Sequence, residues 1–410
     1  MNVVMIGPFG LHPRSTMRER ALPLGRQLIA RGHQVTVVMP PWQNPEYAGR
    51  RWEEDGVGVE NIALPPSVPG LFYIVTALRL AKRAMALRPD VVHLFKPKAY
   101  SGLAHWLLSS VGPRRRPRLV VDEDDWEGPG GWNRLADYTV LERRFFAFQE
   151  RWGLTHADAV TVASRTLESL VWAMGVSPER VFYVPNGAVS AVTRRGAGRE
   201  GRAVVLLYTR FFEFPVSRVI EVFRQVRQDV PLAQLLVVGE GLFGEEALFF
   251  RLAAEAGLSV ARPSSSGGKG LASPDSGLDG GDGIDIRYVG WVPSESLPLF
   301  FSQSDVAIYP FDDTLVNRTK CAVKLVDLLS AGVPVVAEAV GQNREYIRHG
   351  ETGLLVEPGD VSSFAGSVVR LLEDASLRRR LGRQAARDLQ ERFSWCCLAE
   401  TVEQAYGVPA

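Results

Sequence analysis

Short apolar runs alternate with longer stretches whose apolar residues recur at helical spacing, almost from one end of this sequence to the other. The run at 3–6 is followed by a helical stretch at about 17–31, and Gly32-His33 leads into a strand at 34–39. Further strands are expected at 91–94, 119–121, 159–163 and 181–184. Parallel neighbours need a long return connection, which a helix supplies, so the alternation predicts parallel sheets with crossover helices. Near Gly187 the pattern lapses, and residues 188–202, AVSAVTRRGAGREGR, are small, basic and glycine-rich, as a linker is. A second series then runs through 203–208, 235–239, 286–290, 306–309, 333–337 and 353–356.

The expected fold class is therefore α/β, with two Rossmann-like doubly wound domains facing a central crevice and ligands at the carboxyl ends of the strands. The expected domains are 1–187, a linker 188–202, and 203–391. A helical segment at 392–410 follows, whose apolar face of Trp395, Leu398, Val402 and Tyr406 needs a partner, the first domain being the candidate. Residues 262–283, RPSSSGGKGLASPDSGLDGGDG, carry too few apolar side chains to offset the entropy of ordering and are expected to be a mobile surface insertion, with a functional lid the weaker alternative.

Composition narrows the partners. The 410 residues carry a formal net charge of +1, so no global field draws in nucleic acid, and any anion site has to be local. Cys321, Cys396 and Cys397 form neither a disulfide framework nor a zinc spacing, and no leader or membrane-length apolar run is read at the start or elsewhere. A cytoplasmic chain is expected. Two basic amphipathic stretches, 71–87 and Trp106-Leu107-Leu108 before Arg114-Arg115-Arg116, can lie on anionic lipid at the inner face of a membrane, or can be core helices with basic outer faces.

Candidate chemistry sits at strand ends. The first strand runs into Gly7-Pro8-Phe9-Gly10, where Gly7 lets a ligand approach the backbone, followed by Arg14, Arg18 and Arg20; the spacing is not the dinucleotide G-x-G-x-x-G. Lys96 and Lys98 follow the strand at 91–94 and can meet an acceptor or a phosphate. The strand at 119–121 runs into Asp122-Glu123-Asp124-Asp125-Trp126-Glu127, five carboxylates in one short loop. Such crowding raises pKa values unless cations or hydrogen bonds intervene, so the loop is read first as a hydroxyl-binding site, with a base, a solvated acidic turn and, weakest, a metal site as the alternatives. In the second half, strands end at Thr209-Arg210, at Gly239-Glu240-Gly241 and at Pro310-Phe311-Asp312-Asp313. Residues 317–320 read as a polar turn before a helix starting near Val323, where Arg318, Lys320 and Lys324 gather cationic charge at a helix N-terminus, as an anion site or a solvated helix end. Gly341, Asn343 and Glu345 form a further polar loop, either touching a ligand or serving as a turn and helix cap.

These motifs resemble the retaining glycosyltransferases of group 1, also called family 4, which have the two-domain GT-B architecture. The likeness runs through MIGPFG, ARGHQVTVV, PDVVHLFKP, ADAVTVAS, VPNGAV, LLYTRF, LLVVGEG, YVGWV, SDVAIYPF and KLVDLLSAGVPVVAEAVGQNREYIRHGETGLLVEPGD. It implies a nucleoside diphosphate sugar on the second domain and a saccharide or lipid-linked acceptor on the first, with retention of configuration and no required metal or other cofactor. It implies a diphosphate contact for Arg210 and a ribose contact for Asp327. Three positions depart from the pattern: Thr319 stands where the first of two glutamates is expected, the usual lysine falls near Pro215, and the first-domain histidine is replaced within DEDDW by Asp124. Lys320 and Lys324 are then the cations expected to complete the diphosphate cradle, beside donor contacts from Gly7, Gly239, Glu240, Thr319, Gly341, Asn343 and Glu345. Arg14, Lys96, Lys98, Asp122 and Asp125 are assigned to the acceptor side. A sugar-nucleotide epimerase of the same architecture and an inactive nucleotide-sugar binder are the competing functions.

Overall fold

The computed structural model describes residues 1–11, 16–68, 70–112, 114–188, 202–263 and 283–409. Most of the linker 188–202 and of the insertion 262–283, together with Arg14, therefore lies outside the described residues. The chain divides into two compact units: Met1–Gly187 with Thr314–Cys321 and Phe393–Ala410, and Ala188–Asp313 with Ala322–Arg392.

In the first unit β1 (Asn2–Ile6), β2 (Gln34–Met39), β3 (Arg51–Glu54), β4 (Val57–Asn61), β5 (Val91–Phe95), β6 (Arg118–Glu123), β7 (Ala159–Val162) and β8 (Val181–Tyr183) form one sheet. Its order is β3-β4-β2-β1-β5-β6-β7-β8, parallel except for the antiparallel pair β3–β4. The order reverses between β1 and β5, the switch point at which ligands gather in such sheets. Val3, Val4, Met5 and Ile6 are all wholly buried, as a central parallel strand covered on both faces requires.

The β3–β4 hairpin was not foreseen in the periodicity, although Asp55-Gly56 marks it. Both residues have positive φ, 52° and 84°, the backbone that a two-residue hairpin loop needs. The stretch expected as a helix from 17 to 31 opens with a π-helical turn, Met17–Ala21, before the α-helix Leu22–Ala30. Pro23 lacks the N–H that would continue a regular ladder there.

The second unit carries β9 (Val204–Tyr208), β10 (Gln234–Val238), β11 (Val260–Ala261), β12 (Ile286–Gly290), β13 (Val306–Tyr309), β14 (Val335–Glu338) and β15 (Leu354–Val356). The order is β11-β12-β10-β9-β13-β14-β15, every pair parallel, with the switch point between β9 and β13.

Two segments leave the unit that sequence order suggests. The C-terminal helix Trp395–Ala405 places Trp395, Leu398, Ala399, Val402 and Ala405 in the first unit's core beside Val3 and Val35. Arg31 and His33 both pair with Glu403, at 2.8 and 2.7 Å. The stretch Thr314–Cys321, expected in the second domain, packs with the first. Asn186 holds it, its Nδ2 donating to the Cys321 carbonyl at 2.6 Å. Nor is 317–320 a turn: Leu315–Thr319 is a short helix whose N-cap, Thr314, accepts from the Asn317 N–H.

Candidate active site

In the first unit the acidic loop is neutralised from within. Asp122, expected to bind acceptor, is 1% exposed and faces the core. Arg20 donates to its two oxygens at 2.6 and 2.7 Å, and the Thr161 hydroxyl donates to Oδ1 at 2.5 Å. Glu123 is buried against Glu150; burial, then the Glu150 and Asp124 charges, push it well above the usual carboxylate range. Burial likewise raises Glu150 to about 8, although the Glu127 backbone N–H donates to it at 2.5 Å.

Lys96 and Lys98, expected on the acceptor side, are the counter-ions of this loop. Lys96 Nζ lies 3.0 Å from Asp124 and also pairs with Asp125, while Lys98 Nζ lies 2.9 Å from Glu127 and donates to the Tyr138 hydroxyl. Burial alone would depress Lys96, but the Asp124, Asp125 and Glu127 charges outweigh it and hold the amine well above its ordinary value. Burial would raise Asp125, yet the Lys96 charge and hydrogen bond, a Trp132 hydrogen bond and the Lys320 charge keep it low. Asp124 stays raised, chiefly by burial, and accepts from the Thr16 hydroxyl at 2.7 Å. Lys96 itself sits at φ 54°, a left-handed backbone costly for a side-chain-bearing residue, and such strain clusters at functional sites. What remains partly open is a compact Lys96–Asp124–Asp125 group at the carboxyl ends of β5 and β6.

Gly7 packs against the core. A Cβ there would meet the Met17 Sδ at 2.1 Å, so the glycine makes room for a wholly buried core side chain. Thr319, also expected on the donor, is 1% exposed, and its hydroxyl donates to the Leu315 and Val316 carbonyls at 2.9 and 3.0 Å. Lys320 belongs to the first unit with it.

The second unit gathers its candidates at the end of β9. Arg210 is exposed, and the next residue, Phe211, has φ 65° with its backbone N–H donating to Thr209 Oγ1 at 2.7 Å. Lys324, on the helix Val323–Ser330, holds its Nζ 5.3 Å from the centroid of the Tyr208 ring, the last residue of β9. That contact brings a second cation to the strand end that carries Arg210. Gly239 ends β10 with φ 126°, and a Cβ would meet the Thr209 carbonyl oxygen at 1.9 Å, so only glycine fits where the two strand ends converge. Glu240 follows it, exposed, and Asp327 is half-buried on the Val323–Ser330 helix. In the 341–345 loop Gly341 takes φ 46° and Glu345 is half-buried. Asn343 is instead internal, 2% exposed, with Nδ2 donating to the Glu338 carbonyl at 3.0 Å; it pins the helix Asn343–Tyr346 to β14.

Residues 15–187 match the family described as Glycosyl transferase 4-like domain, and residues 267–374 match Glycosyl transferases group 1. The chain is a two-domain glycosyltransferase. Among its relatives are the phosphatidyl-myo-inositol mannosyltransferase of Mycobacterium leprae, 25% identical over 100% of this chain and 97% of that one. Another is the N-acetyl-alpha-D-glucosaminyl L-malate synthase of Bacillus anthracis, 21% identical over 90% and 88%. Among solved structures, the sucrose-phosphate synthase of Thermosynechococcus elongatus superposes with a TM-score of 0.69 at 19% identity, covering 99% of this chain and 98% of that one. The Anabaena HepE protein in complex with UDP and glucose gives 0.66 at 16%, covering 99% of each. These likenesses carry the GT-B fold.

The glycosyltransferase also contains an ion network that the motifs did not reveal. Glu338, wholly buried at the end of β14, accepts from Arg218 Nη1 at 3.0 Å, from the Phe311 N–H at 2.5 Å and from the Gly359 N–H at 2.6 Å. Arg218 also pairs with Asp312 at 2.5 Å. Arg218 lies three residues beyond Pro215, where the family's lysine is missing, but its guanidinium is committed to these carboxylates. A single carboxylate in the apolar run VPVVAEAV was the available signal, since a buried charge needs a partner.

Proposed function

We propose that this glycosyltransferase moves a hexosyl group from a nucleoside diphosphate sugar to a saccharide or lipid-linked acceptor, with retention at the anomeric carbon. The observation that carries this reading is the end of β9, where an exposed Arg210 follows Tyr208 and Tyr208 carries Lys324 against its ring. In the proposed reaction the bond between the anomeric carbon and the diphosphate oxygen breaks, an acceptor hydroxyl takes the carbon and loses its proton, and negative charge grows on the leaving diphosphate. Cations positioned for that charge stabilise the transition state more than the ground state, which is what accelerates the step. Arg210 and Lys324 supply it without a required divalent ion. Asp327 accepts from a ribose hydroxyl. The Asp124–Lys96–Asp125 group of the first unit is proposed to orient acceptor hydroxyls. The UDP held by the HepE structure and the lipid and saccharide acceptors named for the relatives favour this choice of substrates.

The first unit also exposes Leu71, Ile74 and Leu78 on the helix Leu71–Ala86, and Val140, Leu141 and Phe148 on the helix Val140–His156, with Lys82, Arg143, Arg144 and Arg151 exposed among them. Among the described residues no helix is long and apolar enough to cross a membrane. We propose that these faces rest on anionic lipid, which brings a lipid-linked acceptor to the enzyme.

The test is release of nucleoside diphosphate from UDP- and GDP-sugars with and without candidate acceptors, in the presence and absence of EDTA, with the anomeric configuration of the product read by NMR. Nucleotide binding with no transfer to any acceptor refutes the transferase reading. Sedimentation with vesicles, insensitive to anionic lipid and to salt, refutes the membrane contact.

A further inference from the structure

The first unit holds a cavity of about 450 Å³ lined in part by Tyr47, Arg50, Arg51, Trp52, Glu54 and Asn61. That volume falls in the range of roughly 300–1,000 Å³ typical of ligand pockets. The cavity is built on the β3–β4 hairpin and on segments that follow β1 and β2, and neither the acidic loop nor Lys96 lines it. In the hairpin Trp52 lies opposite Val59 and Glu54 opposite Val57, while the Asn61 N–H donates to the Arg50 carbonyl at 2.9 Å. Side chains alternate across a strand, so Arg50, Trp52, Glu54 and Asn61 share one face.

Asn61 carries the argument. It is 6% exposed, and its Oδ1 accepts no hydrogen bond among the described residues. Natural proteins rarely bury an amide oxygen without a donor, and the hydroxyl of a bound ligand can supply one here. Around it stand an aromatic pair and flat polar groups. Trp52 is 37% exposed, and the Arg50 guanidinium lies 4.7 Å from the centroid of the Tyr47 ring. A sugar ring fits such a lining, because its C–H face packs on an aromatic surface while its hydroxyls donate to an amide or carboxylate oxygen and accept from a guanidinium. A phosphate group suits it less: Glu54 brings a like charge and Arg51 is already paired with Glu60 at 3.4 Å. A wholly apolar ligand would leave Asn61 unsatisfied.

We propose that this cavity binds a pyranose unit of the acceptor saccharide, at a subsite apart from the reacting hydroxyl. The inference rests on the first unit being the acceptor side of the glycosyltransferase. Saturation-transfer NMR on the full chain, with millimolar methyl glycosides of glucose, mannose and N-acetylglucosamine, tests it. Transfer to at least one glycoside is expected, and it persists in excess UDP. Asn61→Leu and Trp52→Ala each weaken that binding about tenfold, the loss of one good hydrogen bond or of a stacking surface. Asn61→Leu melts no lower than the parent, and both variants keep the UDP response; the exposed Arg50→Ala, which threatens folding least, weakens binding several-fold as well.

Three results overturn the proposal: no transfer to any of the glycosides, transfer that UDP abolishes, or transfer unchanged in all three variants. Glycoside binding in a chain that no nucleotide stabilises leaves this subsite standing and removes the donor reading. UDP stabilisation without glycoside binding does the reverse.

Discussion

Arg20 grips Asp122 through two hydrogen bonds of 2.6 and 2.7 Å inside the first unit, where the two side chains are 2% and 1% exposed. Arg20 also donates to the Val184 carbonyl at 2.5 Å. Through Thr161 the contact reaches His93, whose other nitrogen lies 2.9 Å from the Tyr406 hydroxyl of the C-terminal segment. Removing one partner of such a pair leaves an uncompensated buried charge, at a cost of roughly 3–5 kcal/mol. Arg20→Ala and Asp122→Ala are each expected to lose that much in urea unfolding, and the double variant to lose clearly less than the sum. Full additivity would show that the two residues do not act as a pair.

Arg210→Ala is expected to leave the melting temperature of the free chain unchanged, because the side chain is exposed. A charge-assisted hydrogen bond contributes roughly 1.5–3 kcal/mol, so nucleoside diphosphate should bind about ten- to a hundredfold more weakly. Isothermal titration with UDP and GDP measures this. Equal affinity in the variant would move the donor site away from the end of β9.

Gly239→Ala puts a Cβ 1.9 Å from the Thr209 carbonyl oxygen at a φ of 126°. The strand ends have to part, so both the stability of the second unit and nucleotide binding are expected to fall. A variant with parent-like melting and affinity would contradict the close approach.

Restoring the family's glutamate by Thr319→Glu is expected to lower stability without improving donor affinity. The site is 1% exposed and the hydroxyl is bonded to its own helix, so the new carboxylate would be buried without a cation made for it. Thr319→Ser, which keeps the hydroxyl, should be tolerated. Tighter nucleotide binding in Thr319→Glu would reverse this view.

Burial raises Glu150 from 4.5 to about 8, so the folded chain holds a proton that the unfolded chain has released. Stability is then fully present below about pH 4.5 and is lost as pH rises through about 8. Melting temperature should fall across that window, and Glu150→Gln, which keeps a hydrogen-bonding group without the charge, should flatten the fall. An identical slope in the variant would assign the titration to another group.

The alternation of apolar runs and amphipathic helices made both parallel sheets legible, because burial on two faces and helical crossovers impose a repeating pattern on the chain itself. The positions of Arg210 and Gly239 at strand carboxyl ends were legible for the same reason, since each stands immediately after an apolar run. The β3–β4 hairpin was missed because Arg51–Glu54 is polar and exposed, with only Asp55-Gly56 to announce it. Pairing was what sequence spacing could not supply. Asp122 and Asp125 look alike in DEDDW, yet one is committed to Arg20 in the core and the other to Lys96 at the rim.

By itself, then, the sequence determined two doubly wound units, their strand ends and their kinship, all of which depend on local periodicity and order along the chain. The tertiary structure alone decided which charges are used up. It placed Thr319 and Lys320 with the first unit and left Lys324 beside Tyr208 in the second. Electrostatic pairing depends on distances of a few ångströms between segments far apart in the chain, and residue order does not encode those distances.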